Sequence, residues 1–580
     1  MAGQPKPAFY VALFLVIAGL VAFAAYRADL LSVLAPQAPG NGQQPKGGPI
    51  NLPPAEDADA TAVTTVKEYK YKPAEKLPPV AGTSNYLALD KNDNTVKFAL
   101  NVWAGWGPII LANEGFKPGK IWKTPDGQEF KLELVLIDNP IAMRDAYAAG
   151  EVHIGWATLD MLPLFMEGFV DKQGKPKDSR VMPRVYQQVD WSNGGDGIVV
   201  RDDIVGVKGL AGKKIVLAQN SPSHYFLLNM LVSGGLQPGD VDMVFTDDAF
   251  QAAAAFNANK QELQGCVSWA PDIYNLAETK GNKMLVTTGT ANKLIADVWF
   301  ARADFAKDHP GICEALVRGI FDAMVDLKDE AKKSKTAELM AAGYNIPATE
   351  TIKMFADAHN TNWAENYQFF VNQNNPANFE RVWNQAYYLY RSIGSITHRK
   401  VEFDQVMDYS IIEKLGKEDK YARQIDEYKV LLPPRSVKQI EAESDEILTN
   451  TIVIHFFPNS ADLHKKIVKE IDGKSTESPY DPNVDLVMKD AASLSAQFGA
   501  ARIIIEGHTD ASMRGRAPEA LVKQLSADRA EAVRKELIDK YKIEPGRISS
   551  IGYGWDRPVE DGNHAVNRRV EIKVYSAEQQ

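Results

Sequence analysis

Cysteine is nearly absent: Cys266 and Cys313 are the only two in 580 residues. So small a number rules out a disulfide framework and argues against a metal–cysteine site. Both lie in apolar stretches and read as small core residues. Basic charge is also scarce, with 65 Lys and Arg against 75 Asp and Glu, a net charge of −10. Nucleic-acid binding needs a basic face to neutralise phosphates, so this balance argues against it. There is no G-x-S-x-G nucleophile elbow, no G-x-x-x-x-G-K-[ST] phosphate loop and no cysteine-rich iron motif. The expectation is a protein that is not an enzyme and uses neither cofactor nor metal.

Long apolar runs are scarce too, with one exception. Ala8 to Tyr26 carries no charge, and at about 1.5 Å rise per residue it reaches about 28 Å, enough to cross a bilayer's hydrocarbon core. Lys6 precedes the run, and Arg27 and Asp29 follow it. That bias places the amino terminus in the cytoplasm and the bulk of the chain in the periplasm, as a single-pass inner-membrane protein. Ala22-Phe23-Ala24 leaves signal-peptide cleavage open as an alternative. The run lacks an acidic residue, so it has no proton acceptor for ion-driven force generation.

A chain of this length holds two to four domains. Residues 1–35 read as the membrane anchor, and residues 36–94, rich in Pro and Gly in their first part, as a partly extended tether. Residues 95–416 alternate strand-like and helical stretches, which implies an α/β fold with mainly parallel sheets in two lobes. Strands are expected at Val96–Trp103, Leu132–Ile137, Gly197–Val200 and Lys214–Leu217. Helices are expected near Ala142–Ala149, His224–Gly234 and Pro310–Asp326. Residues 417–448 read as a linker with a helical part, and 449–580 as a small α/β domain in the order strand, helix, strand, helix, strand.

Three blocks stand out in that last domain: Ile505-Glu506-Gly507-His508-Thr509-Asp510, Leu525-Ser526-Ala527-Asp528-Arg529-Ala530, and Gly552-Tyr553-Gly554 with Asn567-Arg568-Arg569. Their order and spacing resemble the OmpA-like peptidoglycan-binding domain, and Phe456, Ser460 and Pro558 also fall where that family has them. The resemblance assigns Asp510 and Arg529 to the diaminopimelate of the stem peptide. The chemistry is apt, because this side chain ends in an ammonium and a carboxylate on one carbon. A guanidinium fork grips the carboxylate and an aspartate takes the ammonium. Val522 stands where the family usually has Asn, and the loop Ala511–Ala520 is longer, with Arg514 and Arg516 in it.

The central phrases include Trp103-Ala104-Gly105-Trp106-Gly107-Pro108, Asp190-Trp191-Ser192-Asn193-Gly194-Gly195-Asp196 and Ser221-Pro222-Ser223-His224, followed by Trp269-Ala270-Pro271. From about Thr95 to Glu330 they resemble the solute-binding proteins of ABC importers for nitrate, sulfonate and taurine. A strand ending near Ala218, a short polar loop and a helix would offer free N–H groups to an anion. Trp106, Thr158, Ser192, Asn193, Asp196, Ser221, Ser223, His224 and Trp269 are the expected cleft residues. The function expected is a membrane-anchored, wall-attached receptor for a small anionic or zwitterionic solute, passing closure to an ABC permease or another inner-membrane partner. The alternative is a structural wall anchor whose solute-binding-like lobes dock a protein.

Overall fold

The computed structural model describes residues 62–471 and 474–577. The apolar run 8–26 and the tether up to residue 61 lie outside them. Among the described residues, no helix is long and apolar enough to cross a membrane.

The strands, in chain order, begin with β1 (Tyr71–Lys72), β2 (Thr95–Leu100), β3 (Ile121–Lys123), β4 (Glu129–Leu136) and β5 (Ile154–Thr158). Then come β6 (Pro183–Ser192), β7 (Asp196–Arg201), β8 (Lys214–Ala218), β9 (Asp242–Thr246) and β10 (Gly265–Trp269). β11 (Asn282–Thr287), β12 (Ala296–Arg302) and β13 (Ala358–Asn360) complete the two lobes. The first lobe is a seven-stranded sheet in the order β13-β6-β12-β5-β2-β4-β3; the second is six-stranded, β1-β9-β8-β10-β7-β11.

Each lobe is α/β, but the sheets are mixed where mainly parallel ones were expected. Only β4-β2-β5 and β9-β8-β10 run parallel. The reason lies in the connections. β7 and β12 enter their sheets from the other lobe, at the end where the parallel strands finish, and so pair antiparallel. The parallel centre is covered on both faces: every residue of β5 (IGWAT) is buried, as a strand sandwiched between helices should be. Four helices matter below: α1 (Pro140–Ala148), α2 (Met161–Phe169), α3 (Pro222–Ser233) and α4 (Pro310–Asp326). Cys266 and Cys313 are free and buried, as read from their apolar neighbours.

From residue 62 onward the tether is not a tether. β1 adds an edge strand to the second lobe, and Thr65 bonds Asp272 through both its N–H and its hydroxyl. The chain then crosses to the first lobe, where fully buried Arg144 and Arg302 hold the carbonyls of Pro78 and Ser84 at 2.9 and 2.6 Å. Proline-rich backbone has many unpaired carbonyls, and two buried guanidinium groups satisfy them. Composition alone could not show that.

Nor is the segment 417–448 a free linker. Glu418 pairs with Arg318 at 2.6 Å, Tyr421 is buried, and Tyr428 stacks on His359 at 3.9 Å. A helix α5 (Phe379–Ser392) precedes this stretch. The carboxyl-terminal domain follows as a four-stranded sheet, β14-β19-β17-β18, with a separate β15-β16 hairpin. Its strands are β14 (Glu446–Ile452), β15 (Lys466–Ile471), β16 (Lys474–Pro479), β17 (Arg502–His508), β18 (Ile548–Gly554) and β19 (Arg569–Tyr575). Its helices are α6 (Val484–Gln497) and α7 (Glu519–Asp539). The hairpin and β18 were not foreseen. This domain rests against the second crossover between the lobes: Lys293 N–H donates to Gln497 O at 3.1 Å, and Asn450 reaches Ser233 O on α3.

Candidate functional site

The lobes are joined by residues 193–195 and 288–295, the segments between β6 and β7 and between β11 and β12. Thr288 clasps the two: its hydroxyl oxygen accepts from Gly194 N–H at 2.9 Å and Asp196 N–H at 3.1 Å, and lies 2.7 Å from Ser192 Oγ. Across the cleft, the Tyr274 hydroxyl of the second lobe lies 2.6 Å from Asp357 Oδ1 of the first. Burial raises the Asp357 carboxyl to about 6, against the Tyr274 hydrogen bond. Tyr274→Phe would remove that bond from a mostly buried carboxyl, costing about 1–3 kcal/mol. The expected result is a Tm lower by a few degrees, read by calorimetry.

The floor of the cleft is built by register. Thr158 on β5 lies opposite Asp297 on β12, Asp297 opposite Asp190 on β6, and Asp190 opposite Asn360 on β13. Four strands far apart in sequence thus present one row at the carboxyl ends of β5 and β6. Open α/β sheets bind ligands at such ends. Trp103 Nε1 donates to Asp190 at 3.2 Å, and Tyr344 holds Trp103 O at 2.8 Å. On the other lobe, Trp269 pairs with Asp196 across β10 and β7.

The expected cleft residues divide into two groups. Thr158, Asp196, Ser223 and Trp269 are buried; the Thr158 and Ser223 hydroxyls and the Trp269 indole N–H have no hydrogen-bond partner among the described residues. Asp196 and the others are engaged within the fold. Trp106 is fully buried, edge-on to Phe98, with its N–H on Asn101 at 2.7 Å, so it belongs to the core and not to a cleft wall. The indole that reaches the cleft row is Trp103. Asn193 donates to Ala356 O and accepts from Tyr428, while Ser221 donates to Ala218 O at 2.8 Å. Ser192 gives its proton to Asp196 at 2.6 Å. His224 Nδ1 accepts from Asn220 N–H, and burial pushes the imidazole down to about 4, leaving it neutral. Asp160 and Asp297 were not foreseen, and Trp103 and Asp190, though within the expected phrases, were not assigned to the cleft, because only strand register and a helix start bring these residues together.

The acidity of the cleft has a measurable consequence. Burial raises Asp160 from 3.8 to about 7. A raised acid binds its proton more tightly in the folded state, so its stabilising contribution is full below about pH 4 and is lost as pH rises towards 7. The Tm difference between the unliganded chain and Asp160→Asn should therefore fall steadily from pH 5 to pH 8.

The second site is in the carboxyl-terminal domain. A cavity of about 860 Å³ is lined by Phe456, Asp510, Val522, Arg529 and Arg568, among others. Asp510 sits just past β17, where its carboxylate accepts from Ser512 N–H at 2.7 Å and Arg568 Nη1 at 2.8 Å. Burial works to raise this carboxyl, but Ser512 and Arg568 outweigh it and hold it below its ordinary value. Arg529 comes from α7. Its Nε donates to Ser460 O at 3.1 Å and its guanidinium lies over the Phe456 ring at 4.9 Å, with no ion pair among the described residues. The two groups thus face one cavity, one carboxylate and one guanidinium with its outer nitrogens unpaired. Arg568, from the Asn567-Arg568-Arg569 block, is a third member of the site. Arg514 stacks over Trp555 at 5.7 Å.

Two motif glycines explain how α7 reaches this position. A Cβ on Gly507 would meet Ser526 O at 2.0 Å, and one on Gly552 would meet Ala527 N at 2.2 Å. The helix lies directly on β17 and β18, and only glycine leaves room for its backbone. Residues 456–571 match the OmpA family. The carboxyl-terminal segment is an OmpA domain. Over 91 residues it is 38% identical to outer membrane porin F of Pseudomonas aeruginosa, covering 15% of this chain and 25% of that protein. The lobes are similar to the taurine-binding periplasmic protein of Escherichia coli K12, 28% identical over 213 residues, 35% of this chain and 62% of that protein. The periplasmic nitrate-binding protein from Synechocystis PCC 6803 aligns with 58% of this chain and 91% of its own, at 15% identity and a TM-score of 0.44. The chain spans less than two thirds of either curated relative. It is a fusion of a solute-binding-protein-like module with an OmpA domain.

Proposed function

We propose that this chain is an envelope receptor that holds peptidoglycan with its OmpA domain and captures a small solute between its two lobes. The run 8–26 anchors it in the inner membrane, with the bulk of the chain in the periplasm. Asp510 takes the ammonium of diaminopimelate, and Arg529 takes the carboxylate. On wall binding the ammonium displaces Arg568 from Asp510, or shares the carboxylate with it. The protein is a binder and not a catalyst, and lobe closure is its output, read by an ABC permease or another inner-membrane partner.

The observation that carries this reading is the pairing of two separate features in one chain. One is a cavity that sets a carboxylate and an unpaired guanidinium side by side. The other is a hinged cleft with unpartnered buried polar groups. The packing of the OmpA domain on the second crossover supports mechanical coupling between them. Small-angle scattering of the purified chain, with and without solute, tests the receptor arm. A ligand-dependent decrease in radius of gyration is expected. Tight capture of a membrane protein with no response to any small solute would favour the docking alternative instead.

A further inference from the structure

Asp160, Asp190, Asp196 and Asp297 are each at most 4% exposed. They act on one another: Asp297 is raised by Asp190, Asp196 and Asp160, and Asp196 is raised further by Asp357. No lysine or arginine is among the groups acting on any of the four. Buried carboxylates are ordinarily paired, hydrogen-bonded or metal-bound. Asp190 and Asp297 answer this need in part by sharing a hydrogen bond, which requires a proton between them. Asp160 is met only by the nearby Thr158 hydroxyl and its own backbone N–H, which do not offset its burial and fall short of full hydrogen-bond geometry, and Tyr225 is met in the same way by Asn229. Tyr390 OH has no hydrogen-bond partner among the described residues.

These under-satisfied groups form one neighbourhood. Asp160 precedes α2, two residues after Thr158, and it acts electrostatically on Tyr225 of α3 and Tyr390 of α5, whose rings lie 6.5 Å apart. Thr158 and Asp160 belong to the first lobe, Tyr225 to the second. A set of buried acceptors and hydroxyls left open from both sides of a hinge is what a guest with N–H donors would satisfy. The four carboxylates are not gathered tightly enough for a metal: among the described residues, the clusters whose ligand atoms converge within 4.8 Å are both elsewhere.

We propose that the cleft binds an organic cation, an amine or guanidine of net positive charge, with Asp160 and the Asp190–Asp297 pair as its acceptors. This rests on the solute-receptor reading and narrows its ligand class. A bare oxyanion such as nitrate or an alkanesulfonate would face four buried acids with no counter-cation. Binding of the cation to a protonated site must expel a proton, so affinity rises with pH by about tenfold per unit for each proton released, up to the carboxyl pKa.

The test is calorimetric titration of the purified full chain with agmatine and putrescine, against taurine, ethanesulfonate and nitrate. The amines should bind with proton release, tighter at pH 7.5 than at pH 5.5. Asp160→Asn and, independently, Asp297→Asn should weaken them at least tenfold, while Asp242→Asn on the exposed edge of β9 should not. If taurine, ethanesulfonate or nitrate binds and the amines do not, the cation assignment is wrong and the receptor reading stands. Binding of none of the five compounds overturns both. Amine binding that survives both cleft variants places the ligand elsewhere and overturns the assignment.

Discussion

Arg529→Ala leaves the chain folded and lowers its affinity for diaminopimelate-containing muropeptide by one to two orders of magnitude. The helix position tolerates alanine, and the native side chain makes only one hydrogen bond to the protein, to Ser460 O. What is lost is a charge-assisted fork to the ligand carboxylate, worth about 1.5–3 kcal/mol, or roughly 10- to 100-fold. Arg529→Lys should recover only part of this, because an ammonium is a point charge and cannot bind both oxygens in one plane. Asp510→Asn is expected to cost a similar factor, since it removes the charge opposite the ligand ammonium. Titration calorimetry with a purified tetrapeptide muropeptide measures each value. A change below about twofold for Arg529→Ala would remove the guanidinium from the site.

Gly552→Ala is expected to be far more damaging than its size suggests. The added Cβ would lie 2.2 Å from Ala527 N and 2.5 Å from Ser526 Oγ. The first of these is backbone in the middle of α7, and it cannot rotate away. The helix must lift from β18, and the same helix carries Arg529, so stability and binding fall together. Overpacking costs about 1–3 kcal/mol in ordinary cores, and a backbone clash belongs at the upper end. The measured outcome should be a lower unfolding temperature for the OmpA domain and loss of muropeptide binding. Gly119→Ala, where nothing lies within 4 Å of the added carbon, should leave both unchanged. If Gly552→Ala binds muropeptide normally, α7 does not depend on this close approach.

Much of the OmpA domain was legible because its motif residues lie where the local pattern puts them. Asp510 follows a strand, Arg529 lies on the next helix, and Gly507 and Gly552 let that helix sit close. β18 escaped notice since ISSIGYG is only half-buried through most of its length and shows no clear alternation. In the β15-β16 hairpin, β15 (KIVKEI) lacks period-two alternation and β16 (KSTESP) is polar, so periodicity could not distinguish the hairpin from a helix or a loop. In the lobes, the expected helix Pro310–Asp326 agrees to the residue with α4. There proline sits within the first turn of a strongly amphipathic run. The cleft was less legible. Trp103 and Trp106 share one short phrase, and only the helical turn through Ala104–Trp106 sends Trp106 into the core while Trp103 reaches Asp190. Asp190 and Asp297 are joined by antiparallel register between β6 and β12, which no local pattern encodes. The strap formed by residues 62–94 depends on two buried arginines far along the chain.

The central claim is that one chain holds the wall and a solute at once. It is tested most directly by sedimenting the full chain with purified sacculi in the presence of radiolabelled agmatine at pH 7.5. The account predicts protein and label together in the pellet, label lost but protein retained for Asp160→Asn, and both lost for Arg529→Ala. Protein that stays in the supernatant, or a wall-bound chain that carries neither labelled agmatine nor labelled taurine, ethanesulfonate or nitrate, would contradict it.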